Sequence, residues 1–484
     1  MGAPPPLKPI QAVISRLVPQ ATVQQVQVMP SVHCQRIYGV KVSSGTSLVL
    51  VVPPPSMVKL LRSERASVVS EAAVLEWLAG KTIEQPLLQE RTPEPYDLLE
   101  SSPYVAKEVE GTRSSLYGVA KDFRSMAPAL VSHAATLDEL GLEYNLLKPA
   151  RGIPISELNP PLSSSERRTI DYQIGELYRQ LCKQVSPTGR FGPAFAVLHS
   201  AASPSMPDLT KQAKRDVNAR LVESRGVQSW TTAFHSTLEA ILRDGEDMQV
   251  MLGYGTIRRH FKRLEHIFDE IKIPRLVAVD VGKDINTLAL RKKQRGGIAS
   301  FAPSKTKSAI ENNPPNSGND AENKDNVDQE TGLESEGAAN VCLDCQDDIT
   351  MTGMKDWSNF IFGDPLFALH FGRDPSSDFL AGFGGDSRVQ GTVSSIFSSD
   401  LIEDKERAHI RLLLYDCYHT VTHIVRGYFR PQKDSHRREL EARRRLNVIL
   451  EQLDALDGNG IRRGMTPSGE LGPAKSSMSG GKDD

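Results

Sequence analysis

With 484 residues, 39% of them hydrophobic, the chain can bury a full core in two or three structural units, and no stretch approaches the roughly 18 consecutive apolar residues that span a bilayer. Its 58 lysines and arginines against 60 aspartates and glutamates give a formal net charge of -2, which excludes a global field recruiting nucleic acid or anionic lipid. Five scattered cysteines and a start, MGAPPPLKPI, without an apolar signal core predict a cytoplasmic protein with no disulfide framework; Pro6 also stands where a myristoylation signal at Gly2 wants Ser or Thr.

Residues 1–20 are expected to be an N-terminal extension and residues 21–147 a small β-rich lobe. Within that lobe, Tyr38–Val42 and Leu48–Val52 are β-rich runs separated by Ser43-Ser44-Gly45-Thr46, which predicts a hairpin. Val68, Ala72, Leu75 and Leu78 follow at helical spacing, and Gly80 is a suitable C-terminal stop. Tyr144–Leu147 reads as a short strand running into the Pro/Gly connector KPARGIP, taken as a hinge between two lobes.

A larger, mainly helical lobe is expected over residues 148–430. It opens with a helix whose face is Ile170, Ile174, Leu177 and Leu181 and whose start, Ser163 with Glu166, has the spacing of a capping box. Helical patterning resumes over Thr231–Arg243 and Thr256–Glu270, and PRLVAVDVGKDINTLAL then presents two short β-rich pieces around a polar turn. Residues 291–347, rich in Asn, Ser, Gly, Lys and Glu, bury too little to offset the entropy of ordering and predict a mobile insertion. A strand at ITMTGM, a long helix in RAHIRLLLYDCYHTVTHIVRGYF, a C-terminal helix within residues 431–457 and a Gly/Ser-rich disordered tail over 458–484 complete an α+β chain.

Three separated stretches carry residue types suited to phosphoryl transfer. ITMTGMKDWSNFIFGDPL places an Asp-Trp pair at a strand end, followed by Gly-Asp-Pro; PRLVAVDVGKDIN places Asp280 in a turn six residues before Asn286; and Glu71 lies in the helix SEAAVLEWL. In this order the three resemble the fungal-type aminoglycoside phosphotransferase family over roughly residues 38–80, 128–195 and 225–430. The resemblance implies a two-lobed, protein-kinase-like fold that binds ATP and Mg²⁺ and phosphorylates a hydroxyl of a small molecule. Asp280 would then be the catalytic base, Asn286 and Asp356 the Mg²⁺ ligands, and backbone groups of about Leu147 and Lys148 would meet the adenine edge. Glu71 would correspond to the helix carboxylate that pairs with a phosphate-gripping Lys, while Asp364 would brace its loop through backbone hydrogen bonds.

The chain departs from that pattern at three places. Val51 or a neighbour stands where the Lys belongs, Ala278 replaces the His of the catalytic loop, and the loop from Asp280 to Asn286 is one residue longer. An ammonium near a phosphate at ~4 Å is worth ~4 kcal/mol at an effective dielectric of 20, so its loss predicts a slow enzyme. The alternative is an inactive pseudokinase that binds a protein partner through residues 291–347 or the C-terminal tail. Without those residues in one cleft, Asp280 and Asp356 would be ordinary turn residues, and Glu71 a solvated one. Two further patterns remain: Cys342 and Cys345 have the spacing of half a zinc or redox site without a second pair, and His419 and His423, four apart on a helix, lack the Glu of a zinc-protease motif.

Overall fold

The computed structural model describes residues 7–18, 21–31, 33–80, 123–134, 142–199, 226–291, 349–384 and 399–463. The chain divides into two units, one of Met1–Leu290 with Ile349–Asp484 and one of Arg291–Asp348. The architecture that follows is that of the first. The expected mobile insertion, Cys342 and Cys345, and the tail from residue 464 lie outside the described residues.

Five antiparallel strands form the N-terminal sheet: β1 (Val23–Met29), β2 (Arg36–Val42), β3 (Ser47–Val52), β4 (Ala129–Ala134) and β5 (Tyr144–Lys148), in the order β1-β2-β3-β5-β4. The β2–β3 hairpin is the one expected, turned at Gly45 with φ +78° and closed by the Val42 amide on the Thr46 carbonyl at 3.1 Å. Because side chains alternate across a strand, two different apolar faces result. Tyr38, Val40, Leu48, Leu50, Val52 and Leu146 make one, while Val51 and Leu147 point the other way into the main core.

The first of these faces is covered by helix α1 (Leu7–Leu17), through Ile10, Val13 and Ile14. Residues 7–17 are therefore part of the lobe, not the extension expected from the sequence. The i, i+3, i+4 spacing of those three residues is an amphipathic signature that the short, proline-rich start obscures. Each such side chain removed from water contributes roughly 1.5–3 kcal/mol before ordering costs. On the opposite face sits α2 (Ser67–Leu78), the helix predicted from Val68, Ala72, Leu75 and Leu78, all four buried.

The C-terminal region is mainly helical. Helix α3 (Ser164–Cys182) starts at the predicted capping box: the Glu166 amide donates to Ser163 Oγ at 3.2 Å and the Ser163 amide to Glu166 Oε2 at 2.8 Å. A short helix α4 (Ala194–His199) and the longer α5 (Trp230–Asp247) and α6 (Tyr254–Leu264) follow, then α7 (Ser377–Gly384), α8 (Ala408–Phe429) and α9 (Ser435–Asp454). Helices α3 and α7 meet backbone to backbone: a Cβ on Gly175 would lie 2.2 Å from the Phe379 carbonyl oxygen, and one on Gly382 2.1 Å from that of Tyr172. Trp230 anchors the core between Phe191, Phe234, Phe367 and Tyr415. Past α9, residues 458–463 form a turn held by Asp457, whose Oδ1 accepts the Asn459 and Ile461 amides at 2.8 Å each, so order extends beyond the expected start of the tail.

Two small sheets lie within the helical region. One has the order β7 (Gly192–Pro193), β11 (Phe360–Gly363), β8 (Arg275–Ala278), and the other β10 (Ile349–Met354), β9 (Thr287–Arg291), β6 (Ile153–Pro154). Antiparallel pairing of β8 with β11 brings the β8–β9 turn beside the β10–β11 loop, with the Val279 amide on the Asn359 carbonyl at 3.1 Å and the Lys355 amide on the Asn286 carbonyl at 2.9 Å. The class is thus mixed α+β, a β-sheet N-terminal region followed by a helical C-terminal one, as expected. Among the described residues no helix is long and apolar enough to cross a membrane.

Candidate functional site

The β8–β9 turn carries Asp280 and Asn286, and the β10–β11 loop carries Asp356. Gly282, at φ +81°, shapes that turn; a Cβ there would lie 2.8 Å from His370 Nδ1, so both backbone and space call for glycine. Asp280 is buried at 8% exposure, yet both its oxygens are occupied. His33 Nε2 lies 3.1 Å from Oδ2, Asn359 Nδ2 donates to the same oxygen, and Lys283 Nζ pairs with Oδ1. Burial alone would raise its pKa, but the charges of His33 and Lys283 and their hydrogen bonds outweigh that and hold the carboxyl well below its ordinary value.

His33 comes from the loop joining β1 to β2. Burial opposes its charged form, but Asp356 and Asp280 together overcome this, and its pKa lies above the ordinary histidine value. His33 thus pairs with Asp280 and also feels the charge of Asp356, the two carboxylates that the sequence singles out. The two segments carrying them, more than seventy positions apart, converge on it.

Asp356 and Asn286 are locked together: the Asp356 amide donates to Asn286 Oδ1 at 2.8 Å, and Asn286 Nδ2 donates to the Asp356 carbonyl at 3.3 Å. Asp356 Oδ1 accepts the Ser358 amide at 2.8 Å, whereas Oδ2 is buried and among the described residues has no hydrogen-bond partner. A buried carboxylate oxygen left in that state calls for a cation or a donor. Asp356 Oδ2 and the Asn286 amide oxygen are hard oxygen donors of the kind Mg²⁺ takes, with water and phosphate oxygens filling the remaining positions. The residues present fit such an ion. Among the described residues no group of three or more His, Cys, Asp or Glu side chains could hold a metal by itself.

Glu71 is not the solvated residue that a missing lysine would leave. It is 2% exposed, and Asn145 Nδ2 donates to its Oε2 at 3.0 Å while the Trp357 amide donates to its Oε1 at 3.4 Å. Burial first, and then the charge of Asp356, push its pKa far above the ordinary carboxylate value. Asn145 stands on β5 opposite Val51 of β3, so this partner of Glu71 comes from the strand beside β3. Its own amide oxygen is 2.7 Å from His133 Nδ1. Lys59 Nζ lies 3.7 Å from Met248 Sδ.

Leu147 and Lys148 end that same strand β5. Leu147 is buried between Val49 of β3 and Leu130 of β4, and Lys148 is exposed opposite Ala129. Neither lines the cavities described next. Asp364 braces its loop as expected, its Oδ1 accepting the Leu366 amide at 3.1 Å, and its other oxygen reaches across to α8.

A cavity of about 480 Å³ opens beside Asp280, walled by Lys283, Asn359, Arg373, His419 and His423. A second, of about 670 Å³, lies toward α9 and shares His33, Cys34, Glu64, His423 and Arg426 with it. His419 donates from Nε2 to the Phe367 carbonyl at 2.8 Å, and burial pushes its pKa down to about 4. A histidine depressed in this way stabilises the fold fully above its unfolded pKa of about 6.5 and loses that contribution as pH falls toward 4. Glu71, Glu143 and Glu176, raised by burial, act in the opposite sense. The histidine effect is therefore read as a difference: between pH 7 and 4.5 His419→Gln should lose roughly 1–3 kcal/mol less unfolding free energy than the wild type. Parallel pH curves for the two proteins would contradict it.

Of these site residues, His33, Asn145, Lys283 and Asn359 were not singled out from the sequence. Lys283 and Asn359 each lie three positions after a residue that was, a spacing that would have nominated them. His33 and Asn145 had no such signal, because each acts across a gap closed only by the sheet.

No family model matches the chain, and no curated protein matches it either. Among solved structures it is similar to a protein assigned as a fructosamine-3-kinase from Haemophilus somnus 129PT, at 10% identity and TM-score 0.45, covering 92% of this chain and 97% of that one. A protein assigned as an aminoglycoside phosphotransferase from Ralstonia eutropha JMP134 is similar at 9% identity and TM-score 0.45, covering 93% and 98%. The GDP complex of wild-type aminoglycoside 2'-phosphotransferase-IIIa is similar at 11% identity and TM-score 0.40, covering 91% and 97%. Likenesses this distant are silent about substrate.

Proposed function

We propose that the chain is an ATP-dependent phosphotransferase acting on a hydroxyl group of a small molecule. The observation that carries this reading is the meeting of the β8–β9 turn, which bears Asp280 and Asn286, with the β10–β11 loop, which bears Asp356, whose Oδ2 is buried and without a hydrogen-bond partner among the described residues. When bound, Mg·ATP supplies the phosphoryl group and screens its charge. Asp356 and Asn286 would hold the ion through oxygen, and Asp280 would orient the substrate hydroxyl and take its proton as the new O–P bond forms. Lys283 holds Asp280 Oδ1, the oxygen opposite the Oδ2 that His33 and Asn359 occupy, and so fixes the carboxylate. Since loose phosphoryl transfer asks mainly for positioning and charge, the lysine absent from β3 slows such a site without removing its chemistry.

A second reading, a non-catalytic scaffold binding a protein partner, is favoured by one feature. Both oxygens of Asp280 are already engaged, and a substrate hydroxyl must displace His33 or Asn359 to reach one.

A melting experiment separates the readings. Ligand at 100 times its dissociation constant stabilises the folded state by about 2.7 kcal/mol. Mg·ATP should therefore raise the melting temperature of the wild type, and Asp356→Ala should cancel most of that rise. The phosphotransferase reading fails if the wild type shows no rise at millimolar Mg·ATP, or if Asp356→Ala shows the same one.

A further inference from the structure

The cavity beside Asp280 has an uneven charge lining. Its two carboxylates, Glu64 and Asp280, are both spoken for. Glu64 receives both Nη atoms of Arg430, at 2.6 and 2.8 Å, and Asp280 carries His33, Lys283 and Asn359.

The cations on the same wall are less well matched. Arg65 and Arg373 are exposed and, among the described residues, make no ion pair. Arg426 lies 3.6 Å from the Glu64 oxygen that Arg430 already holds, and its Nε is buried without a hydrogen-bond partner. His423 is lowered first by burial and then by Arg373, Arg426 and Arg438, whereas at His419 burial dominates, the Phe367 carbonyl and Asp280 oppose it, and Arg373 and Lys283 add smaller contributions. Among the described residues Arg426 Nε has no hydrogen bond and only a 3.6 Å approach to a Glu64 oxygen that Arg430 already holds, and Arg373 makes no ion pair and feels only the charge of Asp416, so this wall can take up an anion.

We propose that the acceptor phosphorylated here is a hydroxylated anion, whose carboxylate or phosphate is held by Arg373 and Arg426 while one of its hydroxyls faces Asp280. This rests on the phosphotransferase reading and adds the substrate's charge. In the step itself the acceptor hydroxyl oxygen bonds to the terminal phosphorus of ATP, and its proton goes to Asp280. The bond between that phosphorus and the bridging oxygen breaks, and ADP leaves with the electron pair. A polycationic aminosugar would meet these arginines with like charge, so the cavity selects against it.

The test is calorimetric titration of the full chain with four probes of similar size: gluconate, glucose 6-phosphate, glucose and glucosamine. At least one of the two anions should bind saturably and at least about tenfold more tightly than glucose or glucosamine. The gluconate and glucose 6-phosphate arms tell a carboxylate from a phosphate. Arg373→Glu, at an exposed position, should weaken the anion by about 10- to 100-fold while its own melting temperature without ligand stays near that of the wild type; Arg373→Ala serves if it does not. Equal or tighter binding of glucosamine, no anion binding at millimolar concentration, or anion binding untouched by both substitutions overturns the proposal. Anion binding lost on Arg373→Glu but with no Mg·ATP effect on melting upholds the anion site and refutes the phosphotransferase reading, whereas a Mg·ATP effect without anion binding does the reverse.

Discussion

Asp280→Asn should lower phosphoryl transfer by about 10²- to 10⁴-fold, the usual contribution of a positioned general base. The substitution keeps the shape and the contact with Asn359 but removes the negative charge that faces His33 and Lys283. Because His33 and Lys283 hold the Asp280 carboxyl well below its ordinary pKa, Asp280 is ionised throughout the neutral and mildly acidic range. Acid loss of activity above about pH 5 would then belong to other groups. The same depressed pKa means the ionised carboxylate stabilises the fold above its unfolded pKa and loses that contribution only as pH falls through the folded value. Some fall in melting temperature is therefore expected with the activity loss. Transfer rates measured at a temperature where both proteins are folded separate the two effects, and undiminished transfer by Asp280→Asn would remove Asp280 from the role of base.

The largest effect on stability is expected at Asp364. Its Oδ2 accepts Arg411 Nε and the Tyr415 hydroxyl, each at 2.8 Å, and Tyr415 in turn accepts from Trp230 Nε1 at 2.6 Å. Asp364 and Arg411 are both 0% exposed. This network ties the end of β11 to α8, and through Trp230 to α5. Asp364→Ala leaves a fully buried guanidinium with Asp404 at 3.3 Å as its remaining charged partner, so unfolding free energy should fall by about 3–5 kcal/mol. Domains have only about 5–15 kcal/mol to lose, so the single variant would be severely destabilised. Adding Arg411→Met should recover much of the loss, since an apolar pair of similar volume costs less than one stranded charge. Urea unfolding of the single and double variants measures both; a single-variant loss below about 1 kcal/mol would show that the ion pair adds little.

The His33 contact bears on how slow the enzyme would be. A hydroxyl can reach Asp280 Oδ2 only if His33 of the β1–β2 loop or Asn359 gives up its bond or shares the carboxylate. The depleted features read from the sequence and this occupied base point the same way, toward low turnover. The buried, unpartnered oxygen of Asp356 points the other way, since a site with no further use for a cation would be expected to satisfy it.

Local patterns determined much of this protein. The β2–β3 hairpin followed from alternation around a Gly-containing turn, α2 from four apolar residues at helical spacing, and the start of α3 from Ser163 and Glu166, because strand alternation, helix periodicity and capping are short-range effects. The motif order also placed Asp280, Asn286 and Asp356 in turns beside short strands. Tertiary structure decided what each of these residues touches. That α1 covers the sheet, that Asn145 is a hydrogen-bond partner of Glu71, and that His33 reaches Asp280 all depend on strand order, which brings residues together across dozens of positions. Such contacts are set by burial and charge summed over the whole fold, and no window of sequence contains both partners.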